Sequence, residues 1–126
     1  MAEPIKIFLV DDDKFLLDMY SLKFSRANFV VDTATTGLDA LKKLRDGYRP
    51  DIMLLDIIMP TMDGLEVLET IGKEKLSPDS LIIMLSNQAD DAAKAKALGA
   101  KGFIVKAVNI PSDVVKQVQE IYNKER

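Results

Sequence analysis

Three residue types suited to handling a phosphate or a cation stand directly after short apolar runs. Asp11, Asp12 and Asp13 follow I-K-I-F-L-V (5–10), and Asp56 follows D-I-M-L-L (51–55). Ser86 follows S-L-I-I-M-L (80–85), and Lys106 follows G-F-I-V (102–105). Converging carboxylates repel, and one must protonate unless a cation sits among them. Carboxylate oxygens with waters are what Mg2+ prefers. A lysine brings a mobile positive charge on a long stem, suited to a phosphate oxygen or a carboxylate. A serine hydroxyl can donate to a phosphoryl oxygen. Asp56 lies within I-M-L-L-D-I-I-M-P (52–60), so a rigid apolar segment aims it, and a carboxylate can act as nucleophile to form an acyl phosphate. The set reads as a place where a phosphoryl group passes to Asp56, stabilised by Mg2+ and Lys106. Singly, each residue has a plainer reading as loop acid, turn hydroxyl or solvated lysine. Asp13 and Asp63 read as helix caps. Placement of the others after the correct runs favours a common site.

The rest of the composition narrows what such a site can be. A chain of 126 residues, 48% apolar and 29% charged, is globular and the size of one domain. A net charge of −3 without a basic stripe argues against direct nucleic-acid binding. With no cysteine and no histidine, disulfides, thiolate chemistry, histidine triads and His-ligated zinc all fall away. Any histidine chemistry must come from a partner. The opening M-A-E-P-I-K-I-F-L-V-D-D-D is no signal peptide, and no run is long enough to span a bilayer, so the default reading is a soluble cytoplasmic protein.

The elements that must position these residues alternate throughout. F-V-V-D-T-A (29–34) joins the four runs above as a fifth strand, and three of the five are nearly continuous hydrophobics, as in a parallel sheet covered on both faces. Helices are predicted over about 14–27, with Phe15, Met19 and Leu22 at helical spacing, and about 37–46, with Leu38, Leu41 and Leu44 inward. A third opens at D-G-L-E (63–66), with capping-box spacing, and carries Leu65 and Leu68. A fourth, Ala-rich, runs through A-D-D-A-A-K-A-K-A-L-G (89–99), and a fifth follows Pro111 with Val114, Val115, Val118, Ile121 and Tyr122 as its apolar stripe. Five strand–helix pairs in strict alternation predict right-handed crossovers and an open, doubly wound α/β sheet, whose sites lie beyond the strands' carboxyl ends.

V-D-D (10–12), L-D-I-I-M-P-T-M-D-G (55–64), S-N (86–87) and G-F-I-V-K (102–106) resemble the receiver domain of bacterial two-component response regulators. The resemblance covers essentially the whole chain and implies a flavodoxin-like (βα)5 fold of strand order 2-1-3-4-5, a single receiver domain over 1–126 with no output domain. It implies a phosphorylation switch rather than a turnover enzyme, acting only on its own aspartyl phosphate. Asp56 would be the phosphoacceptor, charged by a sensor histidine kinase or a histidine phosphotransfer protein. Asp12 would hold Mg2+ directly, Asp11 mainly through water, and the Ile58 backbone carbonyl would be a further ligand beside Asp56. Ser86 would hydrogen-bond the phosphoryl group, Lys106 would pair with it, and Phe103 would be the aromatic that turns inward as that hydroxyl moves. A downstream protein would dock on the face formed by the fourth helix, fifth strand and fifth helix. The chain would be a monomer or a phosphorylation-dependent dimer.

The sequence departs from the family pattern at Ala107, where a proline commonly follows the lysine, implying a rearranged or strained loop. Ile57 and Ile58 flank the acceptor with apolar side chains, and Asn87 replaces a small residue, which predicts restricted water and a long phosphorylated lifetime. Phe103 lacks a tyrosine hydroxyl, so its switching would be steric. Other readings are a phosphate-independent binding module of the same fold, and a Mg2+-dependent phosphatase of haloacid-dehalogenase type using Asp11 and Asp13. The latter leaves Asp56 unexplained. Flavin mononucleotide binding suits an acidic first loop least.

Overall fold

The computed structural model describes residues 3–106 and 110–125. The elements in chain order are β1 (Lys6–Val10), α1 (Lys14–Arg26), β2 (Val30–Ala34), α2 (Gly37–Arg45), β3 (Ile52–Asp56), α3 (Gly64–Glu74), β4 (Leu81–Ser86), α4 (Ala92–Ala97), β5 (Gly102–Val105) and α5 (Pro111–Glu125). All strand pairs are parallel, and the sheet order is β2-β1-β3-β4-β5, as predicted. The register sets Val10 beside Leu55 and Ala34, and Ser86 beside Val105, so the central strand ends lie along one edge.

Side chains alternate across a parallel strand, and both faces here are dry. Phe8, Val10, Met53, Leu55, Ile82 and Met84 face the layer that holds α2, α3 and α4. Ile7, Leu9, Ile52, Leu54, Ile83, Leu85 and Ile104 face the layer that holds α1 and α5. β3 is buried along its whole length. Burying each large aliphatic side chain contributes about 1.5–3 kcal/mol, so the two layers together fix the strand that carries Asp56.

Two helix faces differ from expectation. On α1 the buried stripe is Leu17, Tyr20 and Phe24, whereas Phe15 is 73% exposed and Leu22 is also exposed. Both stripes have helical spacing, and the packing selects the one that continues into the Phe24–Phe29 edge-to-face contact, with ring centroids 5.1 Å apart. On α2, Leu41 and Leu44 are buried, but Leu38 is exposed and Ala40 takes the inward position. α5 buries Val114, Val115 and Val118, with Ile121 and Tyr122 half-buried beside them. The Ala-rich segment is a 3-10 turn at Ala89–Asp91 followed by a six-residue α4 that buries only Ala95. Gly99, at φ +108, ends that segment in a conformation L side chains rarely adopt.

Caps set the other helix starts. Asp13 accepts from Leu16 N–H at 3.1 Å, and Asp63 and Glu66 form a complete capping box on α3. Among the described residues no helix is long and apolar enough to cross a membrane.

Candidate functional site

The site begins where β1 turns into α1. Asp11 backbone N–H reaches back to Ala34 O at 3.2 Å, and its Oδ1 accepts from Asp13 N–H at 2.9 Å. Asp13 is committed to its cap, which leaves Asp11 buried and Asp12 exposed at the turn. Asp56 ends β3 and is only 5% exposed. Beyond it, Ile57 N–H bonds Leu85 O at 3.2 Å and Gly64 N–H bonds Ile57 O at 2.7 Å, so the following loop folds back over the strand end.

Alternation decides which side chains meet. Asp11 continues the parity of Ile7 and Leu9, Asp56 that of Ile52 and Leu54, and Lys106 that of Ile104. All three therefore aim at the side covered by α1 and α5. Lys106 Nζ lies 2.9 Å from Asp11 Oδ2 and 3.3 Å from Asp56 Oδ1. Oxygens of Asp11, Asp12 and Asp56 lie within 4.8 Å of one another. They open into a cleft of about 380 Å³, lined also by Leu16, Tyr20, Ile58, Asn87 and Pro111.

The remaining expected residues are placed differently. Ser86 shares the parity of Ile82 and Met84, which face the other layer, and it is absent from the cleft lining. Its Oγ accepts from Gln88 N–H at 3.1 Å. Phe103 is half-buried against that same layer, beside Ala92, Ala95 and Ala100. Ile58 is 58% exposed at the cleft mouth, but Ile57 does not flank the acceptor. Leu55, Ile57 and Met59 all belong to the α2–α3 layer, because the period of two runs on past the end of the strand. Of the two isoleucines that follow Asp56, Ile58 is the one that lines its cleft. Ala107 lies outside the described residues.

Tyr20 was not expected here. It is 3% exposed, part of the apolar layer beneath the site, and also lines the cleft. The signal was present in the Leu17–Tyr20–Phe24 spacing, once that stripe is taken as the inward one.

Three carboxylates against one ammonium leave two negative charges in a small space. Burial pushes the Asp56 carboxyl up to about 7; the Asp11 charge adds to this, Lys106 opposes it, and Asp12 adds a little more. Burial acts to lower Lys106, but pairing with Asp11 and the charge of Asp56 together hold it above the ordinary lysine range. The phenol of Tyr20 is raised by burial, against the pull of Lys106 and with the push of Asp11, Asp56 and Asp13. Asp11 Oδ2 faces Lys106 at ion-pair distance yet accepts no well-aligned hydrogen bond. An under-satisfied buried oxygen among hard oxygen donors with excess negative charge fits a divalent cation.

The response regulator receiver domain model matches residues 7–119. The chain is 41% identical over 105 residues to the chemotaxis protein CheY of Listeria monocytogenes, covering 81% of this chain and 86% of that one. It spans less than half of the length of three other curated relatives, 49% in the case of the Bacillus subtilis regulator PhoP, which is 29% identical over 94% of this chain. Among solved structures, Vibrio cholerae CheY4 superposes with a TM-score of 0.83 at 30% identity, covering 94% of this chain and 98% of that one. The Thermotoga maritima response regulator TrrA, solved in complex with Mg(2+)-BeF, gives 0.79 at 30% identity, covering 93% and 98%. A family match across the whole sheet, laid on a cleft of three acids and one lysine, makes this chain a member of the response regulator receiver domains, the CheY-like signalling switches of two-component systems.

Proposed function

We propose that the chain accepts a phosphoryl group on Asp56, from a phosphohistidine of a sensor kinase or phosphotransfer protein or from a small acyl phosphate. The observation that carries this is the position of Asp56: buried at the end of the central strand, 3.3 Å from Lys106, and grouped with Asp11 and Asp12. An Asp56 carboxylate oxygen would attack phosphorus in line with the leaving nitrogen. The P–O bond forms, the P–N bond breaks, and its electron pair returns to the donor imidazole. Water later attacks the acyl phosphate, releasing inorganic phosphate and restoring the carboxylate.

The chain's own residues would do the positioning. β3 holds the nucleophile in one orientation, which replaces an entropic cost of a bimolecular encounter. Lys106 would move from its two carboxylates toward the added phosphoryl oxygens, keeping a charge-assisted contact throughout. Asp11, Asp12, Asp56 and the Ile58 carbonyl would hold Mg2+, which when bound neutralises charge on the transferring group. Ser86 would have to give up its present contact with Gln88 N–H to donate to the phosphate. Phe103 stands on the same side of the sheet as Ser86, beside the weakly anchored α4, which supports a readout through the face formed by α4, β5 and α5. A cytoplasmic location and a protein target downstream accord with this role.

Incubation with Mg2+ and acetyl phosphate, followed by mass spectrometry, tests the reading. A single phosphoryl addition on Asp56, lost in Asp56→Asn, is expected. Absence of any addition would favour a phosphate-independent binding module, and label persisting in Asp56→Asn would overturn the assignment. The phosphatase reading is disfavoured by Asp13, whose carboxylate is occupied in capping α1.

A further inference from the structure

The outer edge of the sheet carries a set of polar contacts that phosphoryl chemistry does not use. Among the described residues β2 ends the sheet and pairs only with β1, in unbroken register and without proline or glycine. Val30 N–H donates to Ile5 O at 2.9 Å, and Ala34 O accepts from Asp11 N–H at 3.2 Å. Backbone groups alternate in direction along a strand, so Val30, Asp32 and Ala34 turn theirs toward β1, while Val31 and Thr33 turn theirs outward. Side chains already occupy both outward groups of Thr33. Its N–H donates to Asp32 Oδ1 at 2.8 Å, and its carbonyl accepts from Lys43 Nζ at 2.7 Å. Lys43, reaching across from α2, also donates to Asp32 Oδ1 at 2.9 Å and holds its ammonium 5.7 Å from the centre of the Phe8 ring.

An open strand edge is a template for another strand. This edge is self-complementary. A second copy approaching antiparallel, about a two-fold axis through Asp32, would exchange both backbone groups of Val31 in one copy with those of Thr33 in the other, twice over. The residues at its centre resist that pairing in two ways. The Thr33 groups are taken, and the two Asp32 side chains would stand directly opposite each other as like charges. We propose that the outer edge of β2 is a strand-addition surface for a second copy of this chain, held shut by the Asp32–Lys43 clasp. Val30, 51% exposed, and half-buried Val31 give the opened edge the β-branched character that strand pairing favours. The plainer alternative is an ordinary half-exposed ion pair that contributes little and guards nothing.

Asp32→Thr combined with Lys43→Met, in the full chain, frees both Thr33 groups and removes the facing charges. In sedimentation velocity over a concentration series, this double variant should dimerise at concentrations where the wild type and Lys42→Met sediment as monomers. Lys42→Met is the control, because it removes an exposed pair with Asp46 on the same helix. Amide hydrogen exchange locates the contact: exchange at Val31 N–H should slow as the double variant dimerises. Lys43→Met alone frees only the Thr33 carbonyl and leaves the Asp32 charges, so it should associate more weakly than the double variant but more strongly than the wild type. A folded double variant that stays monomeric overturns the inference. So does a dimer whose Val31 amide exchanges as fast as in the monomer, or a wild type that dimerises with Val31 protected. If the double variant does not fold, Lys43→Met carries the test, and association no stronger than wild type then overturns it.

Discussion

Replacing Gly64 by alanine sets two physical effects against each other and has a definite sign. Gly64 is the first residue of α3, and alanine there is favoured by helix propensity, by about 1 kcal/mol. Space opposes it. A Cβ on Gly64 would lie 2.2 Å from the Asp56 carbonyl oxygen, 2.8 Å from Ile57 Cα and 2.9 Å from the Asp56 carbonyl carbon. Ordinary contact begins near 3.4 Å, so the backbone must separate by more than an ångström. β3 cannot yield, because it is paired on both sides by β1 and β4 and fully buried. The start of α3 must move instead, which strains the 2.7 Å bond from Gly64 N–H to Ile57 O and the Asp63–Glu66 capping box. Overpacking against backbone costs at the upper end of 1–3 kcal/mol, so a net loss of about 2 kcal/mol remains after propensity. A shift of about 1 Å beside Asp56 should also slow its phosphorylation by roughly 100-fold. Urea unfolding and the rate of acetyl-phosphate labelling check the two arms. Gly72→Ala is the control: it lies in the same helix with nothing within 4 Å of its Cβ, and it should stabilise by about 0.5–1 kcal/mol. If Gly64→Ala were as stable as Gly72→Ala and labelled normally, the close approach would carry no weight.

Other consequences follow from the same packing and charges. Asp56→Asn, in EDTA at neutral pH, should be more stable than wild type by up to about 1 kcal/mol, because two carboxylate repulsions of roughly 3 kcal/mol each outweigh one lost attraction to Lys106 of roughly 5 kcal/mol; a destabilised variant in urea melts contradicts this. Ile58→Asn should lose its phosphoryl group several-fold faster than the parent, since Ile58 stands exposed at the cleft mouth beside the acceptor, and an unchanged decay rate removes that explanation. Phe24→Ala should cost about 3–5 kcal/mol and Phe15→Ala less than about 0.5 kcal/mol, with equal losses showing that the inward face of α1 is misassigned. Tyr48, raised to about 12 by burial and then by Asp32 and Asp51, holds its proton more tightly folded than unfolded, so stability should fall as pH rises from about 10 to about 12; a Tyr48 titration midpoint near 10 by NMR would speak against it.

The strands were the most legible part of the fold. The run predicted at 51–55 is β3 at Ile52–Asp56, and that at 102–105 is β5 at Gly102–Val105. Near-continuous hydrophobics between turn residues leave a buried parallel strand little choice. Helix faces were less legible because α1 carries two apolar stripes of helical spacing, and only packing on the sheet selects Leu17, Tyr20 and Phe24 over Phe15, Met19 and Leu22. Leu38 shows the same limit on α2, where it is exposed while Ala40, Leu41 and Leu44 are buried. The weak apolar content of 89–99 signalled poor anchoring, and the helix is shorter than its composition suggested.

The grouping of the acids with Lys106 was legible in the sequence, but the side of the sheet each residue serves was not read from it. Reading the residue after each run found Asp11, Asp56, Ser86 and Lys106 without telling which side of the sheet each serves. Strand parity tells that, and it is contained in the sequence. Counting by two, Asp11 continues Ile7 and Leu9, Asp56 continues Leu54, and Lys106 continues Ile104, so these three share the side that α1 and α5 cover. Ser86 continues Met84, and Phe103 packs with the same layer, so these two share the opposite side. The cluster is therefore divided by the sheet: charge and cation chemistry lie toward α1, the hydroxyl and the aromatic toward α4. A phosphoryl group on Asp56 would have to be sensed across that divide at the strand end. The same parity puts α1 against Asp56, which is why a tyrosine on that helix stands in the cleft. It also turns Ile58 toward the acceptor and Ile57 away from it. A residue two positions beyond a strand's last carboxylate inherits its direction, and that is why Ile58 lines the acceptor's cleft and Ile57 does not.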